Sequence, residues 1–98
     1  MDLNKFGKRA YICALKRGKI HEQSDPYSLH KETVEGLIEE FNEVINADEN
    51  SASSHLEAYS EVVEELTDIA IASFTELHRR GINIEEVLHA KMKYNESR

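Results

Sequence analysis

The run Ile69-Ala70-Ile71-Ala72-Ser73-Phe74 follows directly on Asp68 and is apolar on nearly every side of a helix. A helix of that kind has to be buried all round. In 98 residues, four helices can hardly surround it, so the run predicts an interface with a second copy. The small residues Ala70, Ala72 and Ser73 suit close helix contact. There are only four glycines and one proline, which favours long helices over many-turned β structure. A chain this short reads as one domain, residues 1–98, whose modest core leans on a partner.

The net charge of -7 disfavours non-specific nucleic-acid binding, which needs a basic footprint. It leaves phosphate ligands open, because a bound cation reverses the local sign of a carboxylate site. No apolar stretch approaches membrane-spanning length, and the charged start at Asp2, Lys5, Lys8 and Arg9 is unlike a signal peptide. The expectation is a cytoplasmic protein with neither nucleic-acid nor membrane partner. Cys13 is the single cysteine, so no intrachain disulfide forms. Its apolar helical position reads as a small core residue, with a reactive thiol as the alternative.

Periodicity gives four helices and no strand. Asp2 caps the first, whose apolar positions are Leu3, Phe6, Ala10 and Cys13. Lys16, Arg17 and Lys19 gather at its end around Gly18, a natural stop. They read as a solvated helix end, with contact to a phosphate chain as the alternative. Ser24-Asp25-Pro26 signals a turn. The second helix is expected over about 28–47, with Val34, Leu37, Ile38, Phe41, Val44 and Ile45 on one side. Residues 46–54 read as a polar loop. Ser54-His55-Leu56-Glu57 fits a capping box and predicts the start of a third helix ending near Arg80, before Gly81. Asn83-Ile84-Glu85-Glu86 is a second capping box and opens the last helix. His21, His30, His55 and His78 lie in loops or near helix ends and read as solvent-facing, with substrate contact as the alternative for His21 and His30.

Two acidic stretches carry the chemistry, Glu39-Glu40-Phe41-Asn42-Glu43 and Glu64-Glu65-Leu66-Thr67-Asp68. Residues three apart share a helix face, so Glu40 with Glu43 and Glu65 with Asp68 form two pairs. The first stretch alone reads as a solvated helix face. Asp68 is harder to assign to solvent, because aspartate is a poor helix former and costly to bury beside an apolar run. Clustered carboxylates repel one another, and a divalent cation relieves that repulsion. Facing each other, the two pairs would make an oxygen cage suited to Mg²⁺, with Mn²⁺ as a second choice. Such an ion could bind phosphate oxygens. Lys91, Asn95 and Arg98 lie at i, i+4 and i+7 on the last helix, either as phosphate-binding groups or as an exposed terminal face.

These motifs, EExxE (Glu39, Glu40, Glu43), ExxD (Glu65, Asp68) and KxxYNxxR (Lys91, Tyr94, Asn95, Arg98), come in the order seen in one known family. The chain resembles the MazG-like all-α nucleoside triphosphate pyrophosphohydrolases over nearly its whole length. The resemblance implies a four-helix bundle completed by dimerisation, as a homodimer or a dimer of dimers. It implies Mg²⁺-dependent cleavage of the bond between the α- and β-phosphates of a nucleoside triphosphate, giving the monophosphate and pyrophosphate, in a house-cleaning role. Carried over, Glu40, Glu43, Glu65 and Asp68 are metal ligands, and Glu39 is a supporting group or water-orienting base. Lys91, Asn95 and Arg98 are substrate contacts. The chain has no tryptophan, whereas several relatives place aromatic residues around the base.

Two other classes remain. One is a non-catalytic dimeric helical interaction module that retains the fold. The other is a di-iron carboxylate bundle, suggested by the ExxH of Glu86 and His89, although such bundles need two of these motifs.

Overall fold

The computed structural model describes residues 1–22 and 25–98. Four helices follow in order: α1 (Leu3–Lys16), α2 (Pro26–Ile45), α3 (Glu61–Arg79) and α4 (Ile84–Glu96). The fold is all-α. Among the described residues the only β feature is an isolated bridge between Ala52 and Ser60. No helix among them is long and apolar enough to cross a membrane.

The helix starts follow from capping chemistry. The side chains of Asp2, Asp25, Ser60 and Asn83 each accept a backbone N–H from the first turn that follows, supplying partners the helix itself lacks. Pro26 fills the first turn of α2, where its missing N–H costs nothing. That start precedes the expected one by two residues; Ser24 of the turn motif lies outside the described residues. Gly18 and Gly81 end α1 and α3 with a φ of 71°, a left-handed conformation that suits glycine.

The third helix is shorter than its sequence pattern suggests. The capping box at Ser54 is not used, and α3 begins seven residues later, after Ser60. Between them the chain folds back on itself. Ser53 N–H donates to Tyr59 O, Tyr59 N–H to Leu56 O and Glu61 N–H to Ser51 O. The Ser53 hydroxyl accepts from the N–H groups of His55 and Leu56. Local side-chain bonds of this kind compete with helix formation, and here they win.

α3 is the central element. It packs against α1, α2 and α4, while α1 and α2 flank it without packing on each other. An open groove is left between them. The radius of gyration, 14.8 Å, accordingly exceeds the roughly 13 Å of a compact chain of this length. α4 is pinned at its start. Asn4 Oδ1 accepts from Ile84 N–H, Asn4 Nδ2 donates to Asn83 Oδ1, and Leu3 N–H donates to Glu85. Ile84 is fully buried against Gly7, where a Cβ would press on its side chain.

The core is thin. Among the described residues only Ala10, Ile20 and Ile84 are buried apolar residues. The run 69–74 is half-covered inside one chain, with Ala70 exposed, and Phe6 of α1 meets Phe74 edge-on at 5.9 Å. A broader apolar surface lies elsewhere. Ile38, Phe41 and Ile45 of α2 and Leu66 of α3 are each more than half exposed, with Val34 and Val63 nearly so.

Candidate metal centre

α2 and α3 run antiparallel. At one end Glu32 and Thr33 meet Arg79 and Glu76; at the other, Glu43 and Glu65 face each other. With this pairing the two i, i+3 carboxylate pairs converge. One oxygen each of Glu40, Glu43, Glu65 and Asp68 lies within 4.8 Å of the other three. The four residues could together hold a metal ion. Glu40 is buried, Glu65 and Asp68 are partly buried, and Glu43 is exposed.

The electrostatics of the cluster are those of charges held against their preference. Burial raises the pKa of Glu40, only partly offset by the Lys19 ammonium, and the charges of Glu43 and Asp68 raise it further. Burial together with the neighbouring Glu43 pushes Glu65 up to about 7. Asp68 is raised by burial and then by Glu64 and Glu43, with Lys19 and Arg17 pulling the other way. One oxygen each of Glu40 and Glu65 is buried with no hydrogen-bond partner. An unpaired buried carboxylate oxygen is costly. Two in one cluster of oxygen ligands are what a hard divalent cation would satisfy.

The cluster forms part of the wall of a cavity of about 780 Å³ along the groove between α1, α2 and α3. That volume suits a small-molecule ligand. Lys19 Nζ lies 3.4 Å from Glu40 Oε1, and Arg17 also lines the cavity. Two of the three basic residues at the end of α1, Arg17 and Lys19, therefore lie beside the carboxylates. Cys13 lines the same cavity and is exposed rather than packed in the core.

Beside the cage, the 47–60 loop is stitched to α3 through Glu64. Its carboxylate bonds the Ser53 hydroxyl and lies 3.0 Å from His55 Nδ1. Glu64 raises the pKa of His55, favouring the charged imidazolium. Asp48 N–H donates to Glu61, and Asp48 in turn binds Asn50 N–H and the Ser51 hydroxyl. His55 is thus exposed yet partnered, at the lip of the cavity. His21 is partnered too, 3.0 Å from Glu32, and His78 lies against the Tyr11 ring.

The remaining residues named from the sequence divide. Glu39 lines the same cavity as the cage. Lys91, Asn95 and Arg98 do not; all three are exposed, Lys91 and Asn95 on α4 and Arg98 just past its end. There the Lys91 ammonium sits over the Tyr94 ring at 4.6 Å, and Arg98 bonds Asn95. Sequence reasoning overlooked Glu64 and His55 as neighbours of the cage. Glu64 was visible as the first residue of the second acidic stretch, whereas His55 carried no local signal. No protein-family model, curated protein or solved structure matches the chain.

Proposed function

We propose that the protein is a Mg²⁺-dependent nucleoside triphosphate pyrophosphohydrolase of the MazG-like kind. The observation that carries this reading is the convergence of Glu40, Glu43, Glu65 and Asp68, with two buried carboxylate oxygens unpaired, on the wall of a ligand-sized cavity. The order of the EExxE, ExxD and KxxYNxxR motifs supports the family assignment.

In this reading the four carboxylates hold Mg²⁺, and Mn²⁺ would serve in its place. When bound, the ion supplies positive charge that draws phosphate oxygens to an acidic wall and stabilises charge on the leaving group. The chain's own residues do the rest. Lys19 and Arg17 sit at the rim where a phosphate chain would lie. Glu39 is within the same cavity and is the base that takes a proton from water. That water's oxygen attacks the α-phosphorus, the bond to the bridging oxygen breaks, and pyrophosphate leaves.

The exposed stripe of Ile38, Phe41, Ile45 and Leu66 supports assembly with a second copy. Ile38, Phe41 and Ile45 share one face of α2 by their spacing, and apolar side chains exposed together on one helix face suit an interaction site. In a dimer, Lys91, Asn95 and Arg98 would serve the partner's cavity rather than their own.

The test is a panel of NTPs and dNTPs with Mg²⁺, scored for product. Pyrophosphate and monophosphate in equal amounts, lost in Asp68→Asn, is the expected result. Orthophosphate release, or turnover indifferent to Asp68→Asn, would overturn the assignment.

A further inference from the structure

Lys19 has a fixed base and a free tip. Its backbone is held on both sides. Lys19 N–H donates to Ala14 O at 3.0 Å through the Gly18 turn, and Ile20 is buried. His21 is clamped by Arg79 of α3 and Glu32 of α2. Arg79 Nη2 donates to His21 O at 3.0 Å and to Glu32 Oε1 at 2.8 Å. Glu32 Oε1 accepts His21 N–H at 2.9 Å. The Arg79 side chain is only 3% exposed, so this clamp is buried in the fold. The Lys19 side chain, by contrast, is 41% exposed.

Its bond to Glu40 is not built like a structural ion pair. The separation, 3.4 Å, is well beyond the usual length of a charge-assisted N–H···O bond. Only one carboxylate oxygen is engaged, and the other stays buried and unpaired. One ammonium against four carboxylates also leaves the cage acidic. A partly exposed pair of this kind is weak and exchangeable.

We propose that Lys19 is a built-in counter-ion of the carboxylate cage: it holds Glu40 when no divalent cation is bound and turns to the ligand's phosphate groups when one is. The inference rests on reading the cage as a cation site that takes phosphate ligands. Lys19, Arg17 and Glu40 line one cavity, so the ammonium need not leave it to meet an anion bound there. The cation and Lys19 compete for Glu40, yet both favour the anion. Removing Lys19 therefore acts on the two ligands with opposite sign. A purely structural lysine would weaken both or neither.

The experiment titrates Mn²⁺ into the wild type and Lys19→Met by calorimetry, with circular dichroism to check helix content. Inorganic tripolyphosphate is then titrated into each protein saturated with Mg²⁺. Lys19→Met is expected to bind Mn²⁺ roughly two- to fivefold more tightly, the scale of a lost partly exposed ion pair. It should bind tripolyphosphate about tenfold more weakly, as for a lost hydrogen bond to a charged group. Lys19→Arg, which keeps a cation there, should restore much of the tripolyphosphate affinity. Unchanged or weaker Mn²⁺ binding, or unchanged tripolyphosphate binding, in Lys19→Met would overturn the proposal whatever the hydrolysis assay shows. Both shifts in a protein that releases no pyrophosphate from any nucleotide would leave Lys19's role standing and remove the hydrolase assignment.

Discussion

Glu40 and Glu65 stand on different helices of the α2–α3 pair, both belong to the four-carboxylate cluster, and each keeps one buried carboxylate oxygen without a hydrogen-bond partner. The metal-free fold therefore carries an electrostatic cost at neutral pH. Replacing one of the two by its neutral isostere should relieve it. Glu65→Gln is expected to raise the metal-free melting temperature while removing most of the rise that millimolar Mg²⁺ produces in the wild type, since a ligand stabilises only through its site on the native state. Thermal unfolding with and without Mg²⁺ checks both. A variant that melts lower and still responds fully to Mg²⁺ would contradict the cage.

The pH dependence follows from the same groups. Glu65 is raised from an ordinary value of 4.5 to about 7 in the fold, and Glu40 and Asp68 are raised as well. Through that window the folded chain keeps protons that the unfolded chain has released, so stability falls as pH rises from about 4.5 to about 7. The His55–Glu64 pair adds a loss in the same direction at higher pH, because His55 is raised above 6.5. The metal-free melting temperature should decline across the window. The decline should flatten in Glu65→Gln and in the presence of Mg²⁺. A metal-free curve that climbs across the window would count against the raised carboxyls.

Much of the cage was legible in the sequence, because an i, i+3 pair shares a helix face whatever the tertiary structure. Antiparallel pairing of two such helices was then enough to bring Glu40, Glu43, Glu65 and Asp68 together. Lys19 was harder to place. It reaches Glu40 through the Gly18 turn and a clamp from Arg79, 58 residues from His21, and no local pattern encodes that. The start of α3 was misread for the opposite reason. Ser54 and Glu57 have capping-box spacing, but Ser53 and Glu64 draw the loop into a turn, and Ser60 caps the helix instead. The apolar run 69–74 suggested a partner, while Ile38, Phe41 and Ile45 of α2 and Leu66 of α3 are also left more than half exposed. Periodicity shows that a face is apolar; it does not show which neighbour covers it.

That α2 face predicts the effect of a charge. Phe41 is 59% exposed, so Phe41→Glu puts no charge into the core of one chain. If the face joins two copies, the variant should run as a monomer by light scattering while the wild type runs as a dimer or larger. A wild type that is monomeric at all concentrations would remove this interface.

Arg79 should be among the least tolerant positions. Its side chain, 3% exposed, bonds Glu76, Glu32 and the His21 carbonyl. Arg79→Ala leaves two partly buried carboxylates without that partner, a change that typically costs about 3–5 kcal/mol. Chemical denaturation should show a loss on that scale. A loss under about 1 kcal/mol, the scale of surface pairs, would mean the clamp is not a structural hub.

Ile84 holds α4 to the bundle. It is fully buried against Gly7, so Ile84→Ala should destabilise by about 2–5 kcal/mol through the cavity it opens. Amide exchange in 84–96 should rise well before exchange in α3. Uniform protection across both helices would show that α4 is held by other means.

The central claim is that two helices deliver four carboxylates to one divalent cation. Crystals soaked in Mn²⁺ and measured for anomalous scattering address it directly. The account predicts one strong peak in contact with Glu40, Glu43, Glu65 and Asp68, absent from Asp68→Asn crystals. A peak elsewhere, or none at saturating Mn²⁺, would contradict it.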